Sequence, residues 1–152
     1  MRGGPGWWAR VAEITLLATA EARAGFEFVY EGGGPVCRTC PYRHACLTLD
    51  PGRKYVVTKV RQVTHPCALQ ESDAHVVEVR AVPRSLVVDA RSAVAGSSVE
   101  VGRYPCRRLD CPNWWVCAGP SLPAKQRYRI ESVDDGPAEC RIGRTLKQVK
   151  AV

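Results

Sequence analysis

The chain has 152 residues, 45% of them hydrophobic and 24% charged, with a formal net charge of +7. That balance belongs to an ordinary globular protein long enough to bury a core, and it excludes a disordered tail, a collagen-like repeat and a miniprotein that depends on disulfides. No stretch reaches the ~20 apolar residues of a membrane-spanning helix. The N-terminus is also a poor signal peptide, because Glu13 interrupts the apolar stretch 11–20. A cytoplasmic protein in a reducing compartment, with no membrane partner, is expected.

Residues 1–12 read as an accessory tail in which Trp7-Trp8 is either a docking anchor or a surface plug. From there β-branched enrichment and period-two alternation, bounded by Gly, Pro or Asp, predict strands over 13–18, 25–30, 54–60, 76–82, 85–89, 98–102, 127–133 and 146–152. In the fourth of these, Val77, Val79 and Ala81 share a face against Glu78 and Arg80. Helix signals are thin. Short helical turns are expected over 42–47 and 113–117, with one more after a possible cap at Asp89 and before Gly96. Asp134-Asp135-Gly136 reads as a hairpin turn rather than a carboxylate pair. The expected fold is mainly β with short helical turns. It comprises two pseudo-repeated β modules, 13–89 and 90–152, packed as one compact unit, each with a four-cysteine metal or cluster site.

The repeat is carried by the cysteines. Cys37, Cys40, Cys46 and Cys67 are spaced x2, x5 and x20; Cys106, Cys111, Cys117 and Cys140 are spaced x4, x5 and x22. Every cysteine is used once. Both halves carry Cys-Pro and then a further cysteine, Cys40-Pro41 to Cys46 and Cys111-Pro112 to Cys117. In both, a tyrosine opens a strand, Tyr55 and Tyr128, and the last cysteine follows that strand's closing valine by the same interval. An internal duplication accounts for all of this. Each set of four is taken as one site formed within its own half, although duplicated modules can also exchange elements.

Zinc and iron–sulfur clusters both accept four thiolates. Structural zinc is usually gripped by two close pairs, whereas here three ligands come from one segment and the fourth from about twenty residues on. Three-plus-one sets with proline beside a ligand are typical of clusters, and Pro41, Pro66, Pro105 and Pro112 all adjoin cysteines. Two 4Fe-4S clusters are therefore preferred over two Zn²⁺, and both over disulfides, which a reducing compartment disfavours. With about −2 left at each filled site, the net charge falls to roughly +3. Arg38, Arg43, Lys54, Lys59, Arg107 and Arg108 are placed in sequence to offset the centres.

The segments around Cys40-Pro41 to Cys46, Pro51-Gly-Arg-Lys-Tyr55, His65-Pro66-Cys67 and Cys111-Pro112 to Cys117 resemble an archaeal family of small uncharacterised proteins with two cysteine clusters regarded as iron–sulfur centres. The run 25–30 is similar to the family's apolar strand before the first cluster. The resemblance spans 13–152 and implies an archaeal, intracellular protein. It implies no reaction.

No catalytic constellation or nucleotide-binding glycine loop is present, and a site filled by four thiolates has no open coordination position, so a stand-alone enzyme is not expected. His44 and His65 lie among the ligands, where hydrogen bonding to the site is preferred over ligation; His75 reads as a surface or core residue. Gly32-Gly-Gly34 reads as a turn into the ligand loop. Of Trp114-Trp115, one indole is expected to shield the site and the other to cover a core edge, with exposure for stacking as the alternative. Three functions stay open. The chain is an electron carrier working with a redox partner, an accessory subunit whose clusters order a docking surface in a larger protein complex, or a zinc-stapled structural module that binds RNA, DNA or a nucleoprotein complex such as the ribosome.

Overall fold

A computed structural model describes residues 12–152. The expected accessory tail, with Trp7 and Trp8, lies outside the described residues but for Ala12. The chain divides into two compact units, Met1–Val82 and Pro83–Val152. The first contains strands β1 (Glu13–Ala18), β2 (Glu27–Val29), β3 (Lys54–Cys67) and β4 (Ser72–Val82), with a helical turn α1 (Arg43–Cys46) between β2 and β3. The second contains β5 (Arg84–Asp89), β6 (Ser98–Val101), β7 (Gln126–Val133) and β8 (Leu146–Ala151), with α2 (Trp114–Cys117) between β6 and β7. Both sheets are antiparallel and have the same strand order, β1-β4-β3-β2 and β5-β8-β7-β6.

The duplication extends to single hydrogen bonds. Gly25 N–H donates to Val57 O and Gly96 N–H to Ile130 O, both at 2.8 Å; Val57 N–H donates to Phe26 O and Ile130 N–H to Ser97 O, both at 2.9 Å. Gly25 and Gly96 sit at φ +89° and +88°, the left-handed region in which a side chain is strained. Tyr55 and Tyr128, the tyrosines that mark the repeat in sequence, are buried at the centre of their sheets. The boundary between halves falls after Val82 rather than after Asp89. Arg84–Asp89 pairs along its whole length with β8, so these residues belong to the second sheet.

All eight expected strands form, and their lengths show what periodicity misses. β2 is shorter than expected, while β3 continues past Val60 to Cys67 through a polar run containing Pro66. Pairing with Ser72–His75 of β4 holds that extension. Register shifts between Val57 and Lys59 and between Val60 and Thr64 mark bulges, which re-aim side chains along a strand. On β4, Val77, Val79 and Ala81 are buried as the alternation requires, but Ala74 and Val76 are buried too. These two join Leu16 in a small cluster against which Ile14, Cys46 and Cys67 pack. The core of the second half gathers Leu86, Val88, Leu122, Tyr128, Ile130 and Val149. The turn expected after Asp89 is a 3-10 turn (Ala90–Ser92), and the Asp89 carboxylate accepts from Arg91 N–H at 3.0 Å. Asp134-Asp135-Gly136 does not close a tight hairpin. It begins the long connection from β7 to β8 that carries Cys140. Among the described residues, no helix is long and apolar enough to cross a membrane.

Candidate metal centres

In the first half, Cys37 lies in a 3-10 turn (Pro35–Thr39) and its N–H donates to Gly34 O at 3.0 Å. Cys40 follows, its N–H donating to Cys37 O at 3.2 Å, and its carbonyl accepts from both Arg43 N–H and Arg43 Nη1. Cys46 closes α1 by donating its N–H to Tyr42 O at 3.0 Å, and the buried Thr15 hydroxyl donates to Cys46 O at 3.0 Å. Cys67 ends β3. A Cβ at Gly33 would stand 2.9 Å from Cys37 Cβ and 3.0 Å from its Sγ, so the middle of the three glycines is where the loop backbone presses on Cys37. Cys46 feels the charge of Cys67 and Cys37, and Tyr30 feels that of Cys46 and Cys37, which places these groups around one locality.

The second half repeats the helical turn closely. Trp114 N–H donates to Cys111 O at 3.1 Å, Cys117 N–H to Asn113 O at 3.0 Å and Ala118 N–H to Trp114 O at 2.7 Å, matching the bonds made by Arg43, Cys46 and Leu47. Here Cys106, Cys111, Cys117 and Cys140 all line a single cavity, together with Tyr104, Trp114 and Arg144. The Trp114 indole N–H donates to Cys106 O at 3.0 Å, and Asn113 Nδ2 donates to Glu139 O at 2.8 Å, tying the helical turn to the loop of Cys140. Arg108 backbone N–H points at Cys106 Sγ at 3.5 Å. On the rim, Asp110 accepts from Arg108 at 2.9 Å and from Arg141 at 3.2 Å, and Arg141 in turn pairs with Glu139.

Burial is the largest influence on two of the thiols. It pushes Cys46 up from the usual thiol range, with Cys67 and Cys37 adding to the rise and hydrogen bonding from Leu16 and Thr15 opposing it. It pushes Cys117 up as well, against the Arg144 cation, while Cys111, Cys140 and Cys106 add to the rise. Such thiols are protonated at neutral pH until something displaces the protons, so loading a metal there releases protons. Four thiolates on one Zn²⁺ stand about 3.8 Å apart by tetrahedral geometry at ~2.3 Å from the ion. Among the described residues no three Cys, His, Asp or Glu side chains are grouped to hold one ion. The four cysteines of the second half nevertheless line one cavity.

Other expected residues fall variously. His65 stacks on Tyr42 with ring centroids 4.1 Å apart, whereas His44 is exposed on α1 and His75 shares a hydrogen bond with Thr19. Trp114 lines the thiol cavity; Trp115 is 66% exposed and does not cover the core edge expected of it. Lys54 pairs with Glu27 at 2.9 Å. Sequence reasoning overlooked Tyr30, Tyr104, Asn113, Glu139 and Arg144. Their only signal is proximity to a ligand in sequence, as with Tyr104 just before Cys106 and Arg144 just after Cys140.

Fold and thiols together define a small duplicated β protein with one set of four cysteines in each copy. The chain matches the sequence profile of the uncharacterised protein family UPF0179 over residues 13–151, and it belongs to that family. It is 38% identical to the UPF0179 protein of Haloarcula marismortui over 141 residues, covering 90% of this chain and 94% of that protein. It is 32% identical to the UPF0179 protein of Methanoregula boonei over 139 residues, 91% and 93% of the two chains, and 32% identical to that of Methanosarcina acetivorans over 140 residues, 91% and 94%. The archaeal family that the sequence resembled is thereby identified. No solved structure matches the fold.

Proposed function

We propose that each half holds a 4Fe-4S cluster on its own four cysteines, and that the protein transfers electrons, alone or as the cluster-bearing accessory subunit of a larger complex. The observation that carries this is the convergence of Cys106, Cys111, Cys117 and Cys140 on one cavity. The three-plus-one spacing of the cysteines weighs for a cluster, because structural zinc is usually gripped by two close pairs. The surroundings suit such an occupant. Trp114 and Tyr104 limit the access of water, Arg108 N–H is aimed at a ligand sulfur, and Arg144 supplies positive charge beside Cys117. When bound, a cluster supplies a one-electron couple; the chain's part is to hold it dry and set its potential. The first half repeats the helical turn and supports the same assignment for Cys37, Cys40, Cys46 and Cys67.

Anaerobic purification followed by metal and sulfide analysis tests this. The expected protein is brown, carries about eight irons per chain, and has a broad visible absorption that bleaches with dithionite. Colourless protein with two zincs overturns it and favours a zinc-stapled module for RNA, DNA or a nucleoprotein partner. Reversible midpoint potentials support electron transfer, and iron centres that cannot be cycled overturn that role.

A further inference from the structure

The second half contains a cavity of about 250 Å³, distinct from the thiol cavity and separated from it by a shared wall of Tyr104, Cys117 and Arg144. Its size falls just below the range of drug-sized ligand pockets, roughly 300–1,000 Å³. Polar and apolar atoms share its surface about equally, the apolar part coming from Val87 and Val88 of β5, Val99 and Val101 of β6, and Val116 of α2.

The first half shows how the duplicated frame fills the equivalent place. Val99 stands opposite Tyr128 in the ladder as Phe28 stands opposite Tyr55, and Val101 is the counterpart of Tyr30. Phe28 stacks on Tyr55 with ring centroids 5.9 Å apart, and Tyr30 lies close enough to Cys46 and Cys37 to feel their charge. Two aromatic rings in one copy are therefore two valines in the other, and those valines line the cavity.

Charge selects the occupant. Three charged groups line the cavity. Asp89 is held by Arg91 and Glu100 by Lys125 and Arg127. The third, Arg144, has its guanidinium 3.7 Å over the Tyr104 ring and, among the described residues, no ion pair with a carboxylate. A half-buried guanidinium with free donors at the edge of a valine-lined space suits a single negative charge on a compact apolar body. A dianionic phosphate would leave one charge uncompensated against hydrocarbon.

We propose that this cavity binds a small monocarboxylate with a compact apolar body, its carboxylate on Arg144 and its body among Val87, Val99 and Val101. Arg144 and Cys117 also wall the thiol cavity, so the charge held there acts on this site as well. Ligand-observed NMR on the protein as isolated tests it, with benzoate as probe and benzamide and inorganic phosphate as comparators. Benzoate is expected to bind in the millimolar range or tighter, at least tenfold better than either comparator. Arg144→Met should weaken benzoate at least tenfold and bring it level with benzamide. The double change Val99→Phe with Val101→Tyr, which copies the first half, should abolish binding. If that variant does not fold, the Arg144→Met comparison alone decides. No benzoate binding to the wild type overturns the proposal, as does benzoate binding that survives Arg144→Met or phosphate binding more tightly than benzoate.

Discussion

In the first half Phe28 stacks on Tyr55, Tyr30 lies within reach of the charges of Cys46 and Cys37, and Thr15 holds the carbonyl of Cys46. In the second half stand Val99, Val101 and Arg144, with an open space between them. The strand order, the glycines that open β2 and β6, and the acceptance of a helical-turn N–H by the carbonyls of Cys40 and Cys111 are the same in both. What the copies share is the apparatus that presents thiols; what they vary is the volume and charge next to them. A duplicated frame can thus keep two similar centres while giving each a different neighbourhood, and neighbourhood is what sets a centre's potential and access.

The largest expected effect comes from a position the copies do not share. A Cβ on Gly102 would stand 2.0 Å from Ala124 O, a backbone atom that cannot swing away. Gly102→Ala should cost roughly 3–5 kcal/mol and be read as an early loss of the second half in thermal unfolding. By contrast, Gly25→Ala and Gly96→Ala meet no atom within 4 Å and carry only the cost of left-handed backbone, about 1–2 kcal/mol each. Equal losses would sharpen the match between the halves; unequal ones would break it.

Next come the last cysteines of the two sets, Cys67 and Cys140. Cys67→Ser in the loaded protein should remove hydrogen-exchange protection from residues 13–82 and spare 83–152, and Cys140→Ser should do the converse, because binding energy at such a site is folding energy. Equal loss in both halves would point to one cooperative structure in which the sites contribute little to stability.

A smaller effect is expected of Thr15→Val, which keeps shape and removes the donor to Cys46 O; denaturant unfolding should register a loss of about 1–2 kcal/mol.

The last effect is confined to alkaline solution. Burial pushes Tyr30 and Tyr55 up to about 12 from the usual 10.0, with the Cys46 and Cys37 charges adding to the rise at Tyr30. A tyrosine that ionises later in the folded chain than in the unfolded one leaves stability unchanged below about pH 10 and erodes it from there to about 12. Denaturant melts across that window should show the decline, and Tyr55→Phe should flatten part of it. A melt insensitive to pH from 10 to 12 would contradict the burial of both rings.

Much of the frame was legible because each strand advertises itself locally. Val77, Val79 and Ala81 alternate with Glu78 and Arg80, and Asp89 caps its turn as the side-chain chemistry suggests. What escaped depends on partners distant in sequence. The extension of β3 to Cys67 is polar and contains Pro66, and only its pairing with β4 makes it a strand. Ser85–Asp89 read correctly as a strand but was assigned to the wrong half, since only its pairing with β8 shows where it belongs. At the sites, the spacing named every cysteine, yet Arg144 and Tyr104 carry no pattern of their own. They matter because the fold stacks one on the other beside Cys117.

The strand order bears on how the protein is made. In each half the strand that opens the sequence pairs only with the strand that closes it, Ala18 with Ala74 and Asp89 with Leu146. A chain leaving the ribosome at about 5–20 residues per second must therefore keep β1 unpaired for several seconds, with the apolar Leu16 and Leu17 waiting for β4. During that interval Cys37, Cys40 and Cys46 emerge ahead of Cys67, so three thiols are available before the fourth arrives together with the closing hairpin. Synthesis thus delivers each half as an incomplete cup followed by its lid, the first finished before the second begins.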